Sequence, residues 1–225
     1  MTTARRRAAA LTWAAAAALL ASAAGALSTR AGTDRRQSLP PELRDVVVSA
    51  PAKVGTVRLV DHHGKPVTSD TLFAGAWSFV YLGFASCPNV CPATLGQLAA
   101  LKQSFARQFP DAPAARYVFV SVDPQRDTPA RLASYLPAFD RDFIGATGDP
   151  AQIAALSDAL TAFHRRRAEK ADDDYGVVHS GEIYLFDPGG RVYARFTPPL
   201  DTEAMPGELI ALMRADRERR VSAGR

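Results

Sequence analysis

A chain of 225 residues with 47% hydrophobic content is long enough for one domain of ordinary size plus appendages, and too apolar to be disordered. Two cysteines exclude a small fold stapled by many disulfides and leave one bridge, a redox pair or metal ligation. The net charge of +4 sits at the ends, because Arg5, Arg6, Arg7, Arg30, Arg35 and Arg36 face only Asp34, and five arginines from Arg214 onward face only Asp216 and Glu218. The stretch between is mildly acidic, which excludes the electrostatic footprint of a nucleic-acid binder.

In chain order, Arg5–Arg7 precede an uncharged stretch from Ala8 to Leu27. As a helix it rises about 30 Å, the thickness of a bilayer's hydrocarbon core. Its basic leading side predicts an N-terminus held in the cytoplasm and export of everything after Arg30. Length favours a retained anchor over a cleaved signal peptide, while the alanine-rich composition and Ala21-Ser22-Ala23 point to cleavage. The expected organisation is residues 1–29 as anchor or signal, 30–53 as a tether, 54–215 as the folded domain and 216–225 as a basic tail. This places a single-pass protein in the inner (cytoplasmic) membrane, its domain facing the periplasm or extracytoplasmic space.

Val57, Leu59 and Val67 flank a turn over Asp61–Lys65 and predict a hairpin. Trp77–Phe84 is an apolar run expected of a strand buried on both faces, and a helix follows from about Pro92 with Leu95, Leu98, Leu101 and Phe105 inward. Tyr117–Val122 reads as a second strand. Asp127 or Thr128 caps the next helix with Pro129 in its first turn, and Leu132, Tyr135 and Leu136 face inward. Asp149-Pro150 starts another helix, with Ile153, Leu156, Leu160 and Phe163 inward. Arg165–Arg167, followed by Asp172–Asp174, read as a solvated loop, with a partner-docking surface as the lesser reading. Glu182–Phe186 and Val192–Phe196 form a hairpin across Asp187-Pro188-Gly189-Gly190, and a last helix begins near Pro206. This order predicts an α/β thioredoxin-like sandwich with a central mixed sheet flanked by helices.

Cys87-Pro88-Asn89-Val90-Cys91 stands at a strand-to-helix junction. Positions i and i+4 of a helical turn lie about 6 Å apart, which suits either a disulfide or shared ligation of one ion. The helix N-terminus favours thiolate and activates both sulfurs for either role. A bridge closing so short a loop adds little stability, so a purely structural disulfide is the weaker reading. His179 lies just before the predicted strand Glu182–Phe186, in a loop able to approach the cysteines. Two thiolates and one imidazole make a soft site of low coordination number, suited to Cu(I) more than to four-coordinate structural zinc. His62 and His63 read as solvated turn residues, with a transient copper-capture patch as the lesser alternative, and His164 reads as surface. Asp123 and Arg126 read as loop-fixing groups near the site. Ser86 and Ser121 have no base at triad spacing, and no hydrolase is expected.

Three stretches carry a family resemblance: Tyr81-Leu82-Gly83-Phe84 into Cys87–Pro92, Val120 to Pro129, and Asp174-Tyr175 through His179-Ser180 to Gly190. In this order, within roughly Gly55 to Met213, the sequence resembles the Sco/SenC copper chaperones. The resemblance implies a thioredoxin fold, membrane tethering and delivery of copper to the dinuclear copper centre of cytochrome c oxidase. It implies that Cys87, Cys91 and His179 match the family's copper ligands; the donor set itself favours Cu(I), with Cu(II) possible. The implied partners are the oxidase's copper-bearing subunit and an upstream copper donor or thiol reductant. Two positions depart from the family pattern: Asn89 where an Asp is common between the cysteines, and Val178 where many members have Asp before the histidine. The competing function is an extracytoplasmic thiol–disulfide oxidoreductase acting on the cysteines of a client copper site. Against it, thioredoxin-type reductants usually have two residues between the cysteines, and such an enzyme has no need of His179.

Overall fold

The computed structural model describes residue 39, residues 41–171 and residues 174–223. The apolar stretch Ala8–Leu27 lies outside the described residues, and no described helix is long and apolar enough to cross a membrane. A short helix α1 (Pro41–Arg44) leads to the hairpin β1 (Arg58–Asp61) and β2 (Pro66–Thr68), then α2 (Ser69–Phe73), β3 (Ser78–Gly83), α3 (Val90–Gln108) and β4 (Arg116–Ser121). Next come α4 (Pro129–Tyr135), a single 3₁₀ turn (Leu136–Ala138), β5 (Ile144–Thr147) and α5 (Pro150–Ala159). A separate two-stranded ribbon, β6 (His164–Ala171) and β7 (Asp174–His179), precedes β8 (Ile183–Phe186), β9 (Val192–Phe196) and α6 (Met205–Ala223).

The main sheet has seven strands in the order β2-β1-β5-β4-β3-β8-β9. β3, β4 and β5 run parallel, and β8 runs antiparallel to β3. The sheet is therefore mixed and the fold thioredoxin-like. All six residues of β3 are buried, so its period-two alternation feeds both layers. Phe79 and Tyr81 join Tyr117, Phe119, Ile183 and Leu185 against α3 and α6. Val80 and Leu82 join Val118, Val120, Tyr184 and Phe186 against α2 and α5. Each large apolar side chain so buried contributes about 1.5–3 kcal/mol.

Strand direction decides what meets at the end of the sheet. β3 and β4 both point their C-terminal ends one way, and antiparallel β8 starts where β3 finishes, with Tyr81 paired to Ile183. The segment leaving β3 carries the cysteines, the segment leaving β4 carries Asp123–Asp127, and the segment entering β8 carries His179. This crevice beyond the carboxyl ends of parallel strands is where open α/β sheets place their ligands.

Several expected features take a different form. Residues 39–53, expected as tether, include Leu39, Leu43 and Val47 at 2–3% exposure in the α3/α6 core, with Val47 bridged to Ala194. β5 was not anticipated, because Ile144-Gly145-Ala146-Thr147 is four residues long and interrupted by glycine. The Arg165–Arg167 segment is not a loop but the outgoing strand of the ribbon, paired to Val178, Val177 and Gly176. Phe163, expected inward, is 60% exposed, because α5 ends at Ala159 and Thr161 takes a positive φ of 56° that redirects the chain. Gly190 supplies the φ of 72° that the β8–β9 turn requires.

The last helix continues across the expected break after residue 215. Asp216 is buried and accepts from Arg220 Nε at 2.5 Å, and Arg220 Nη2 lies 3.0 Å from Oδ2 of fully buried Asp187. Truncation after Ala215 removes both groups and leaves Asp187 with Arg191 as its remaining cation. We expect stability to fall by about 1–3 kcal/mol, seen as a lower urea midpoint. An unchanged midpoint would return residues 216–225 to the status of a tail.

Candidate metal centre

The cysteine turn is held by neighbours on the chain that leaves β4. Asp127, 0% exposed, accepts from the Ala85 amide at 2.8 Å and the Ser121 hydroxyl at 2.6 Å, while Arg131 Nε stands 3.4 Å from its other oxygen. The helix-capping role expected of Asp127 or Thr128 falls to Thr128, whose hydroxyl accepts from the Arg131 amide. Asp127 instead clamps the segment between β3 and Cys87. Burial raises its carboxyl, and the Ser121 and Ala85 donors work against that. Arg126 donates to Asp123 at 2.5 Å and lies over the Phe84 ring, 6.0 Å from its centroid. Ser86 accepts from Arg131 Nη2 at 3.0 Å.

Both cysteines are free thiols, in unlike settings. Cys87 is half-buried at the helix mouth, and its sulfur accepts from the Cys91 amide at 3.4 Å. Burial alone would push its thiol up, but the Cys91, Asn89 and Val90 amides of the opening helical turn hold it below the ordinary cysteine range. Cys91 is fully buried, and burial pushes its thiol up to about 12. It receives the Tyr81 hydroxyl at 3.6 Å. Its sulfur also occupies the space over Gly83, where an added Cβ would come within 3.0 Å of Sγ and 2.8 Å of the Phe119 ring.

His179 completes the cluster. Its Nε2 lies 3.4 Å from Cys91 Sγ, and its Nδ1 lies 2.8 Å from the Ser180 carbonyl. A carbonyl only accepts, so Nδ1 carries the proton and the Nε2 lone pair faces the sulfur. Burial lowers the imidazole below its usual range, the Ser180 carbonyl opposes this, and nearby His164 adds to it. The ring packs edge-on against Phe84 and Tyr81, with centroids 5.7 and 6.1 Å away. A neutral imidazole with one nitrogen fixed by a carbonyl is the usual state of a metal-binding histidine. Among the described residues no three His, Cys, Asp or Glu side chains are already gathered as a metal cage gathers them. The pair Cys91–His179 is preset; Cys87 sits a helical turn away on the exposed side.

The other histidines have structural partners. His62 extends the β1–β5 pairing: its amide donates to the Gly145 carbonyl at 2.9 Å, and its Nδ1 accepts from the Gly145 amide at 3.1 Å. β5 and β4 separate it from β3; both histidines lie in the turn, but only His63 is exposed. His164 is half-buried rather than surface, with Nδ1 2.9 Å from the Ser157 hydroxyl, and it pairs across the ribbon with His179. Sequence reasoning missed Tyr81 as a partner of Cys91. It also missed Tyr135, whose hydroxyl is buried without a hydrogen-bond partner among the described residues. Burial and then the two sulfurs raise that phenol. The signal for Tyr81 was its alternation with Leu82 in a doubly buried strand, which puts it on the same face as the following helix.

With this geometry in view, the SCO1/SenC family profile matches residues 48–214. The bovine (Bos taurus) mitochondrial SCO2 homolog is 34% identical over 165 residues, 73% of this chain and 60% of the bovine protein. A SCO2-like protein of Rickettsia conorii is 33% identical over 71% of this chain and 75% of its own length. The copper-bound structure of Arabidopsis thaliana ScoI matches with a TM-score of 0.66 and 31% identity, covering 72% of this chain and 99% of that one. Copper-bound ScoI of Bradyrhizobium japonicum matches at 0.61 and 32%, covering 74% and 99%. The chain belongs to the SCO1/SenC family. It spans about 60% of the length of its bovine and mouse relatives.

Two outcomes are expected from the site alone. Limited alkylation with iodoacetamide should modify Cys87 well before Cys91, as peptide mass mapping would reveal; equal labelling would contradict the unequal settings. Gly83→Ala should overpack the sulfur and ring above it and cost about 1–3 kcal/mol in thermal or urea unfolding.

Proposed function

We propose that this protein is a copper chaperone that carries Cu(I) on Cys87, Cys91 and His179 and delivers it to the dinuclear copper centre of cytochrome c oxidase. The observation that carries the reading is the His179 imidazole, its Nδ1 tied to Ser180 and its Nε2 turned onto Cys91 Sγ at 3.4 Å. A dithiol alone has no use for such a group. Copper is the cargo, and the donor set suits it: two sulfurs and a neutral nitrogen favour a soft monovalent ion. Copper-bound relatives from Arabidopsis and Bradyrhizobium are 31% and 32% identical over 72% and 74% of this chain.

In this reading Cys87, the more exposed and more readily ionised sulfur, meets the incoming ion first. Cys91 and His179 then close on it from below, and Cys91 releases its proton as copper replaces it. Delivery uses the same exposed side: a donor atom of the acceptor displaces Cys87 first, then Cys91 and His179 let go, and Cys91 takes back a proton. Loading requires both thiols reduced, because a Cys87–Cys91 disulfide offers no thiolate. Residues 1–29, as membrane anchor or export signal, deliver the domain to the extracytoplasmic face of the inner membrane, and an upstream copper donor or thiol reductant serves it there.

A second reading has its own observation. One lowered, half-exposed thiol beside one raised, buried thiol is the division of labour of a dithiol reductant. Cys87 thiolate would attack a client disulfide, and Cys91 would then displace the client, leaving a Cys87–Cys91 disulfide and two client thiols.

The two readings part on His179→Ala. The reduced protein should bind one Cu(I) as wild type and lose tight binding in the variant, as measured by competition with a chromophoric Cu(I) chelator. Copper retention unchanged by the substitution, with dithiol turnover also unchanged, would favour the reductase. Asn89 and Val178 stand where carboxylates are common in the family, and Asp127 is committed to Ala85, Ser121 and Arg131, so Cu(II) should be held more weakly than Cu(I). A Val178→Asp variant should raise Cu(II) retention selectively, and equal Cu(I) and Cu(II) retention in the two proteins would count against this.

A further inference from the structure

The β6–β7 ribbon brings His179 to the sulfurs, yet its other face has no use inside the fold. In an antiparallel ribbon directly paired residues share a face and alternate pairs switch sides. His164 pairs with His179, and Arg165 with Val178. The ladder continues at its base, where the Ser180 amide donates to the Phe163 carbonyl at 2.9 Å and the Phe163 amide donates to Ser180 Oγ at 2.9 Å. Hence His179 turns inward, while Phe163, Arg165 and Val178 share the outward side.

That outward side is unusual for this surface. Phe163 is 60% exposed and Val178 is 41% exposed. Val90, between the two cysteines, is 55% exposed. Only Val221 among the described residues is a further exposed large apolar side chain, and it lies at the far end of α6. Exposed apolar bulk thus concentrates beside the residues proposed to hold copper, as it does where a partner must exclude water. Beside the ribbon lies a cavity of about 390 Å³, lined in part by Val122, Pro124, Ile153, His164 and Arg165. Arg165 is exposed, and among the described residues no carboxylate pairs with it. The carboxylates closest along the loop after β4, Asp123 and Asp127, are buried and engaged with Arg126 and Arg131. Arg131 adds a second half-exposed cation beside the cysteine turn.

We propose that the outer face of the ribbon is the docking surface for the copper acceptor, which lays an acidic segment on Arg165 and packs apolar side chains against Phe163, Val178 and the adjoining cavity. This rests on the chaperone reading and names the chemistry of its partner. An ion can pass between proteins only if the acceptor's donor atoms reach Cys87, and a rim flanking both the cysteine turn and the histidine strand brings them there. The apolar contacts exclude water during exchange, and Arg165 guides the approach through an attraction that salt screens. Arg165 thereby acquires a role as the cation of a recognition surface.

The test uses the copper-loaded protein and, as probe, the copper-free soluble domain of the oxidase's copper-bearing subunit from the same organism. Arg165→Glu and Phe163→Ser alter exposed side chains and should leave one Cu(I) bound per protein. Arg165→Glu should slow transfer by about tenfold and flatten its dependence on ionic strength; Phe163→Ser should slow it comparably and leave the salt dependence in place. Normal transfer by wild type with both variants within about twofold of it overturns the docking surface and leaves the chaperone function standing. A wild type that binds no copper, or hands none to this probe, overturns the functional reading and the docking surface together.

Discussion

The hydrogen bond from His179 Nδ1 to the Ser180 carbonyl is the constraint on which the site depends. It fixes the tautomer, and with it the direction in which the imidazole offers a lone pair. Without it Nε2 could carry the proton, donating to the sulfur 3.4 Å away and leaving no lone pair there for a metal ion. Everything around the ring reinforces the same choice. Burial keeps it neutral, Phe84 and Tyr81 hold its edge, and the pairing of β7 with β6 anchors the strand from which it comes. The sheet supplies the other half, because antiparallel β8 must begin where parallel β3 ends.

The cysteines divide the work along the direction of burial. Cys91 lies within the core, beneath Gly83 and Tyr81, where its proton is firmly held until a metal or another sulfur displaces it. Cys87 lies at the opening of the helix, where three amides favour its anion. Such a gradient serves capture from solvent and release to solvent through one entry side. It serves disulfide exchange equally well, and so the histidine rather than the dithiol separates carriage of copper from reduction of thiols.

How much of this was legible from the chain can be judged by residue. The strand Trp77–Phe84, the cysteine turn and the β8–β9 hairpin are written in local pattern: an apolar run, a strand-to-helix junction, and a Pro-Gly-Gly turn. The ribbon was not legible. Its strand His164–Ala171 carries three consecutive arginines, and alternation cannot be seen where both faces are polar. Phe163 looked like a fourth inward residue of α5, because nothing in the sequence announces the positive φ at Thr161 that ends the helix's register. Asp127 looked like a cap, since capping and clamping both require a short carboxylate before a helix. Only the approach of Ala85 and Ser121, 42 and 6 residues away, distinguishes them. The histidine's position just before β8, and then the family resemblance, pointed to His179; the hydrogen bond that orients it could come only from the folded chain.

The most direct test of the account is X-ray absorption spectroscopy at the copper edge on the reduced, Cu(I)-loaded protein. The account predicts one copper bound by two sulfur scatterers and one imidazole nitrogen, with the nitrogen contribution lost in His179→Ala. A copper held by two sulfurs alone, with a spectrum unchanged by that substitution, would contradict it.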